Sequence, residues 1–262
     1  MPRCRAVLLL LPLLLAPRAA AQHAEADDVE AIKPPAVKPS PDENKPDLEK
    51  VVKGIIDKTN AFRKEEGRPV VGVDAKLART AAAFAAYMAQ EDRYGHTADG
   101  QRPAERAKKH GYDYCVVLEN IAYQYSSVGF KTAALAEGFF GGWKESPGHR
   151  RNMLDPDVTQ TGVAVARSEA TGYYYAVQMF GRPKSEAIAF AISNESAAAI
   201  EYEIAGKPFV LEPRYTRTHM RCRPARLTYR LPGEKEKGTV KPANGDRFAV
   251  IEREGRCRLI RR

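Results

Sequence analysis

The sequence has few long apolar stretches, which limits how this 262-residue chain can meet a membrane. The longest stretch runs from Ala6 to Ala16, is interrupted by Pro12, and is too short to cross a bilayer. No later segment is apolar enough to span one. We therefore expect no transmembrane segment in the mature protein.

Patterns that identify several function classes are also missing. The chain has no HExxH sequence, which carries zinc in many metalloproteases, and no repeat of the solenoid type. Its arginines are scattered and are not clustered with aromatic residues, which disfavours a stacking platform for single-stranded nucleic acid. We expect no specific nucleic-acid partner.

Residues 1–21 have the features of a secretory signal peptide. Arg3 and Arg5 form a positively charged start, the apolar stretch follows, and residues 19–21 are three alanines that suit a cleavage site. We therefore expect a secreted protein that works outside the cell or in the periplasm.

Cysteine is scarce, and only Cys115, Cys222 and Cys257 follow the predicted cleavage site. Export would place them in an oxidising compartment, where disulfide bonds persist. Cys222 and Cys257 both lie among strand-like segments of the last third, so we predict a bond between them. Cys115 lies beside two valines and is predicted to be a small buried hydrophobic residue.

Composition divides the rest of the chain into three parts. Residues 22–46 are Pro-rich, charged and poor in large apolar side chains, which is typical of a disordered linker. Residues 47–181 and 182–262 are predicted to fold as two domains. The second is basic, with 18 Lys and Arg against 10 Asp and Glu, which favours an anionic surface or polymer as partner. A solvated basic surface without a partner is the alternative.

Residues 47–181 begin with a helical pattern. Asp47 and Asp74 are placed to cap two helices, and the alanine content of the second allows its neighbours to approach closely. Pro103 suits the first position of a short third helix, and a longer helix is predicted over residues 128–143.

The end of this region and the region after it predict turns and strands. Ser-Pro-Gly at 146–148 predicts a turn, and alternating apolar residues at 161–169 and 172–181 predict a β-hairpin. Seven strand-like segments separated by Gly and Pro follow in residues 182–262, which predicts a small all-β sandwich. The expected fold class is α+β.

Three polar side chains are the candidates for a functional site. His96 and His149 each lie in a glycine-containing segment predicted as a turn, whereas His110 ends a lysine-rich helix and is expected to face water. Glu119 lies within an apolar run, and a buried carboxylate needs a partner such as imidazole or a metal held by imidazole. Two histidines and a carboxylate could bind zinc, with structural histidines as the alternative.

A series of short motifs resembles the CAP superfamily, which groups cysteine-rich secretory, antigen 5 and pathogenesis-related proteins. The similarity covers about residues 50–181, favours the secreted bacterial branch, and rests on TNAFRKEEG, LARTAAAFAAYMA, GHTADG, LENIAY, GWKESPGHRRNML, TGVAVA and YYYAVQMFG. The shared unit, the SCP domain, implies a three-layer α-β-α sandwich with a central cleft.

The resemblance also implies a His-Glu-Glu-His set in that cleft, with zinc held by the two histidines in some members. The matching positions here are His96, Glu119 and His149. The second glutamate is expected three residues after the tryptophan, where this chain has Ser146. Glu145 is the candidate for this second cleft-lining glutamate beside Glu119, although it is one position early, which turns its side chain by about 100° on a helix.

Three functions are compatible with these residues. The resemblance favours a binding module whose cleft holds a lipid, a peptide or a wall-derived ligand. A metal-assisted hydrolase with Glu119 as base is the second, although no nucleophile is evident. The third is a structural or adhesive protein, anchored by its basic domain.

Overall fold

The computed structural model describes residues 29–35 and 45–262. The predicted signal peptide and most of the predicted linker lie outside the described residues. Within the described ranges, none of the helices combines the length and apolar character that a bilayer crossing needs.

The first part of the chain alternates helices with strands. Its elements, in chain order, are β1 (Glu30–Ala31), α1 (Leu48–Glu65), β2 (Gly72–Val73), α2 (Ala75–Glu91), β3 (Arg93–Tyr94), α3 (Pro103–Lys109), β4 (Tyr114–Gln124), α4 (Thr132–Glu145), α5 (Pro147–Met153), β5 (Gln160–Arg167) and β6 (Tyr174–Pro183).

Local signals in the sequence define where the first helices begin. The side chain of Asp47 accepts a hydrogen bond from the Lys50 amide at 3.1 Å, and Asp74 accepts from the amides of Lys76 and Leu77. Each aspartate thereby satisfies amides that the first helical turn leaves without a partner. Both caps were predicted from the sequence.

The predicted three-layer α-β-α sandwich is confirmed. Strands β2, β5, β6 and β4 form one sheet in that order, and β5 and β6 are the predicted antiparallel hairpin. One core packs α1 and α4 against a face of this sheet, and a second core packs α2 against the other. We call this part the α-β-α unit.

The alanine-rich helix α2 approaches the sheet closely, as its composition predicts. A Cβ placed on Gly162 of β5 would collide with the backbone of Leu77 and Ala78 in α2. Glycine is therefore required at this position, because the helix rests directly on the strand.

Two short segments differ from the sequence-based predictions. Pro147–Met153 is a helix rather than a turn, because Pro147 suits its first position, where no backbone N–H is needed. Strand β1 lies within the predicted linker and pairs with β3, with Val29 and Ile32 packed beside the α2 core. Packing of these two apolar side chains against the core stabilises an ordered conformation of the segment.

The rest of the chain forms an all-β region, as predicted. A 3-10 helix (Lys184–Glu186) leads into β7 (Ile188–Asn194), β8 (Ile200–Ile204), β9 (Lys207–Leu211), β10 (Thr216–Arg221), β11 (Leu227–Arg230), β12 (Gly238–Val240), β13 (Arg247–Arg253) and β14 (Arg256–Arg261). The seven predicted segments correspond to these strands with the exception of β10. That strand is rich in threonine and arginine, and apolar residues do not alternate clearly along it.

These strands form two four-stranded sheets that share one core. The orders are β10-β7-β13-β14 and β12-β11-β8-β9, and apolar side chains of both sheets meet between them. We call this part the β-sandwich. It contains one parallel pair, β7 with β13, among antiparallel neighbours.

The predicted disulfide is wrong. Cys115, at the start of β4, is bonded to Cys222, which follows β10, and Cys257 is a free thiol. Cys257 lies on β14 and packs against the sandwich core, whereas Cys222 lies in the loop that faces the α-β-α unit. The bond therefore joins the two folded parts, which proximity in sequence could not indicate.

Non-reducing digestion and mass spectrometry should find one linked peptide containing Cys115 and Cys222, and a thiol reagent should label Cys257. The bond closes a loop with a sequence separation of 107 residues. Chain entropy predicts that Cys115→Ala lowers the unfolding free energy by about 4–5 kcal/mol. A peptide linking Cys222 to Cys257 would support the sequence-based pairing instead.

Acid should destabilise the β-sandwich through His219. Its Nε2 lies 2.9 Å from the Tyr202 hydroxyl, and burial together with the charges of Arg217 and Arg221 lowers its pKa. The unfolded chain binds this proton more readily, so stability is complete above about pH 6.5 and falls below it. Urea unfolding from about pH 7.5 to 5 should show a steeper loss for the wild type than for His219→Gln. Parallel curves would contradict this assignment.

Candidate functional site

Glu119 points from the edge strand of the α-β-α sheet into the protein interior. It pairs with Met179 of β6, and its side chain is only 1% exposed. An ionised carboxylate at this depth is stable only with charged or hydrogen-bonding partners. The structure supplies two, from different elements.

The first partner is Arg106 of α3. Its Nη2 donates to both carboxylate oxygens of Glu119, at 2.8 and 3.0 Å, and its Nη1 donates to Asp99 at 2.7 Å. The guanidinium carbon lies 3.5 Å from the ring centroid of Phe84 on α2. Helix α3 thus holds a buried cation between two carboxylates and an aromatic face.

The second partner is His96, in the turn after β3. Its Nδ1 lies 2.8 Å from the Glu119 Oε1, and its carbonyl accepts a hydrogen bond from Arg106 at 2.9 Å. The imidazole is 28% exposed, whereas the carboxylate beneath it is covered. We call His96, Asp99, Arg106 and Glu119 the ion cluster.

His149 lies on helix α5 and not in a turn. Its carbonyl accepts from the Asn120 amide at 3.2 Å, and Asn152 donates to the Glu119 carbonyl at 3.1 Å. The two asparagines therefore bind α5 to the edge of β4. Burial, and secondarily the electrostatic influence of His96, lowers the pKa of His149.

A cleft of about 420 Å³ opens beside the ion cluster. His96 and Glu119 line it, together with Asn152 and an apolar wall that includes Pro103 and Leu118. Glu145 is exposed at the end of α4 and is not among the described residues that line this cleft. Ser146, one residue later, takes the position that caps α5.

The residues of the cluster do not fit a zinc ion well. Zinc takes at least three protein ligands, and the Glu119 oxygens already accept from Arg106. Across the described residues, no set of three or more His, Cys, Asp and Glu side chains is arranged to hold a metal. Zinc binding by His96 and His149 stays a prediction.

Arg106 and Asp99 were not among the residues predicted for the site. The sequence predicts a short lysine-rich helix around Arg106, and imidazole or a metal held by imidazole was the partner expected for Glu119. The sequence did contain a signal for a cationic partner, because a carboxylate buried in an apolar run requires a nearby cation. Nothing in the spacing identified which of the many arginines supplies it.

Removing Arg106 should leave the buried Glu119 carboxylate without its guanidinium partner, with the His96 imidazole still beside it. We expect Arg106→Met to lower the unfolding free energy by about 3–5 kcal/mol, and Arg106→Met/Glu119→Leu to recover most of the loss. Urea denaturation of the two variants measures both values. The matched control is Arg102→Gln, whose ion pair with Glu105 is exposed and should contribute little. Equal stability of the single and double variants would show that the pair does not act as a unit.

Comparison with known proteins identifies a family that shares this architecture. The model of the cysteine-rich secretory protein family, CAP, matches residues 56–180. The uncharacterized protein YkwD of Bacillus subtilis (strain 168) is 29% identical over 131 residues, which cover 50% of this chain and 47% of that protein.

Two solved structures are also similar. An outer surface protein from Borrelia burgdorferi is 19% identical, with a TM-score of 0.46, and the match covers 52% of this chain and 95% of that one. An extracellular protein containing a SCP domain from Bacillus anthracis str. Ames is 24% identical, with a TM-score of 0.44, covering 54% and 45%. This chain spans about half the length of the Bacillus subtilis relative, YkwD.

Proposed function

Residues 56–180 belong to the cysteine-rich secretory protein family, and we propose that this domain is an exported binding module. Its ligand is a short peptide, or a peptide-like fragment of a cell wall, held in the cleft beside His96. This proposal rests on one observation. The partly exposed imidazole of His96 and an apolar wall line the same cleft, and the Glu119 carboxylate beneath them is already paired with Arg106.

The mixed lining favours a peptide over a lipid. The apolar wall formed by Pro103 and Leu118 can take an aliphatic side chain, and the His96 ring can hydrogen-bond a ligand amide or carboxylate. Arg102 and Glu105 add an ion pair at the rim, where an acyl chain would gain nothing. A volume of about 420 Å³ lies within the range of small-ligand sites.

The same geometry disfavours the hydrolase alternative. A general base must accept a proton from water or from a nucleophile within hydrogen-bond reach. Both oxygens of Glu119 instead accept from the guanidinium of Arg106, and the carboxylate is almost fully covered. The ion cluster therefore supports His96 in position and has no carboxylate available for proton transfer.

Location outside the cell is part of the proposal. The Cys115–Cys222 bond joins two folded parts, and disulfides of this kind persist in oxidising compartments. The predicted signal peptide agrees with this location.

Binding can be tested with synthetic tetrapeptides that carry aliphatic side chains and a free carboxylate, titrated calorimetrically into the mature protein. His96→Ala should weaken binding about tenfold, because one hydrogen bond to a charged group is lost. His110→Ala, at the end of α3 and outside the cleft lining, is the matched control and should change affinity less than about twofold. Equal affinities in wild type and His96→Ala would refute the proposed site.

Two further measurements separate the alternatives. Chromatography of the incubated peptides should show no cleavage, and cleavage that disappears in Glu119→Gln would establish the hydrolase instead. Titration with zinc chloride tests the metal prediction, which requires zinc binding that is lost in both His96→Ala and His149→Ala.

A further inference from the structure

Four arginines share the outward face of one sheet of the β-sandwich. Phe248 and Val250 of β13 enter the core, so Arg247 and Arg253, which alternate with them, point outward. Residues of β14 that lie directly opposite the outward-facing residues of β13 point to the same side of the sheet. Arg256 and Arg258 are among them. We call Arg247, Arg253, Arg256 and Arg258 the arginine face.

This face concentrates charge at a cost to the fold. Arg253 lies directly opposite Arg256, and like charges in this position destabilise a sheet. Arg258 is two residues from Arg256 on the same strand and therefore on the same side. The arginines are scattered in sequence here, as RFAVIEREGRCRLIRR, but the hairpin gathers alternate ones on one side.

The fold neutralises neighbouring arginines but not these. Arg261 pairs with Asp246, and Arg262 pairs with Glu195. By contrast, all four members of the arginine face are exposed, and no acidic side chain among the described residues forms an ion pair with any of them. An anion from outside the chain is the group that would offset their repulsion.

We propose that the arginine face binds a linear phosphate polymer that carries no nucleobases, independently of the ligand in the cleft. Guanidinium groups bind phosphate through two parallel hydrogen bonds, and Arg256 and Arg258 lie about 7 Å apart along the strand. At that spacing both side chains can contact phosphates of the same extended chain. A groove of about 330 Å³ continues from Arg247 across the sheet and gives the polymer backbone room.

The other side chains on this side of the sheet favour a phosphate polymer over nucleic acid and over a lipid surface. Small side chains, including Ala191 and Thr218, line the groove together with Asp246, whose carboxylate is paired with Arg261. The outward positions of these four strands carry no aromatic ring that could stack on a nucleobase. Met220 is the large apolar side chain exposed there, which is little for insertion into a lipid surface.

Inorganic polyphosphate is the probe, titrated into the full mature chain at several salt concentrations. The test variant is Arg253→Gln/Arg256→Gln/Arg258→Gln. The control is Arg230→Gln/Lys235→Gln/Lys237→Gln, which removes the same charge on the side of the opposite sheet. At low salt, the dissociation constant should rise at least about 30-fold in the test variant and less than about threefold in the control. The slope of log affinity against log salt should fall by about 2–3.

Three results would overturn the proposal. Equal losses in both variants would mean that net charge alone attracts the polymer. An RNA oligonucleotide, or vesicles of anionic phospholipid, bound more tightly than polyphosphate through the same arginines would assign the face to that partner instead. Unchanged affinity in the test variant would remove the site.

A loss of polyphosphate binding in these variants should not result from misfolding. The substituted side chains are exposed, and removing like charges should leave the melting temperature unchanged or raise it. The single variant Arg256→Gln, which removes the opposing charge alone, should still weaken polyphosphate binding about threefold or more. These substitutions lie outside the cleft and should leave tetrapeptide binding unchanged. The two proposals can therefore be refuted independently of each other.

Discussion

Burial of the Glu119 carboxylate is the constraint around which the α-β-α unit is arranged. The carboxylate lies on the edge strand β4, and its charge requires a cation, which α3 supplies as Arg106. Arg106 then fixes the turn that carries His96, because it also donates to the His96 carbonyl. Helix α5 completes the arrangement through Asn152, which donates to the Glu119 carbonyl. One buried ion pair thus places the walls of the cleft.

The same strand connects the site to the second folded part. Cys115 begins β4 and is bonded to Cys222, and the adjacent Arg223 forms ion pairs with Asp155 and Asp157 of the α-β-α unit. A covalent bond and a pair of charge contacts therefore hold the β-sandwich against the domain that carries the cleft. The proposed peptide ligand and the proposed polymer then bind one linked molecule, in which the cleft and the arginine face are held together.

Particular residues show how far sequence reasoning reached. Asp47 and Asp74 indicated helix starts, because capping acts within three residues of the cap. The hairpin β5–β6 followed from side-chain alternation, for the same local reason. The imidazole partner expected for Glu119 is present in His96, but the arginine partner was missed, since Arg106 is brought to Glu119 by packing of α3 against Phe84. The disulfide was assigned to the wrong cysteines. Glu145, suggested by the family resemblance, is exposed at the end of α4 and is not among the described residues that line the cleft.

By itself the sequence determined the layered α+β architecture and the family resemblance, and it indicated imidazole as a partner for the carboxylate of Glu119. These properties depend on short-range periodicity and on motifs in linear order. Only the tertiary structure decided which cation neutralises Glu119, which cysteines are bonded, and that the scattered arginines of β13 and β14 share one face. The reason is physical: ion pairs, disulfides and cross-strand contacts join atoms that are distant in the chain, and their partners are chosen by packing and strand register.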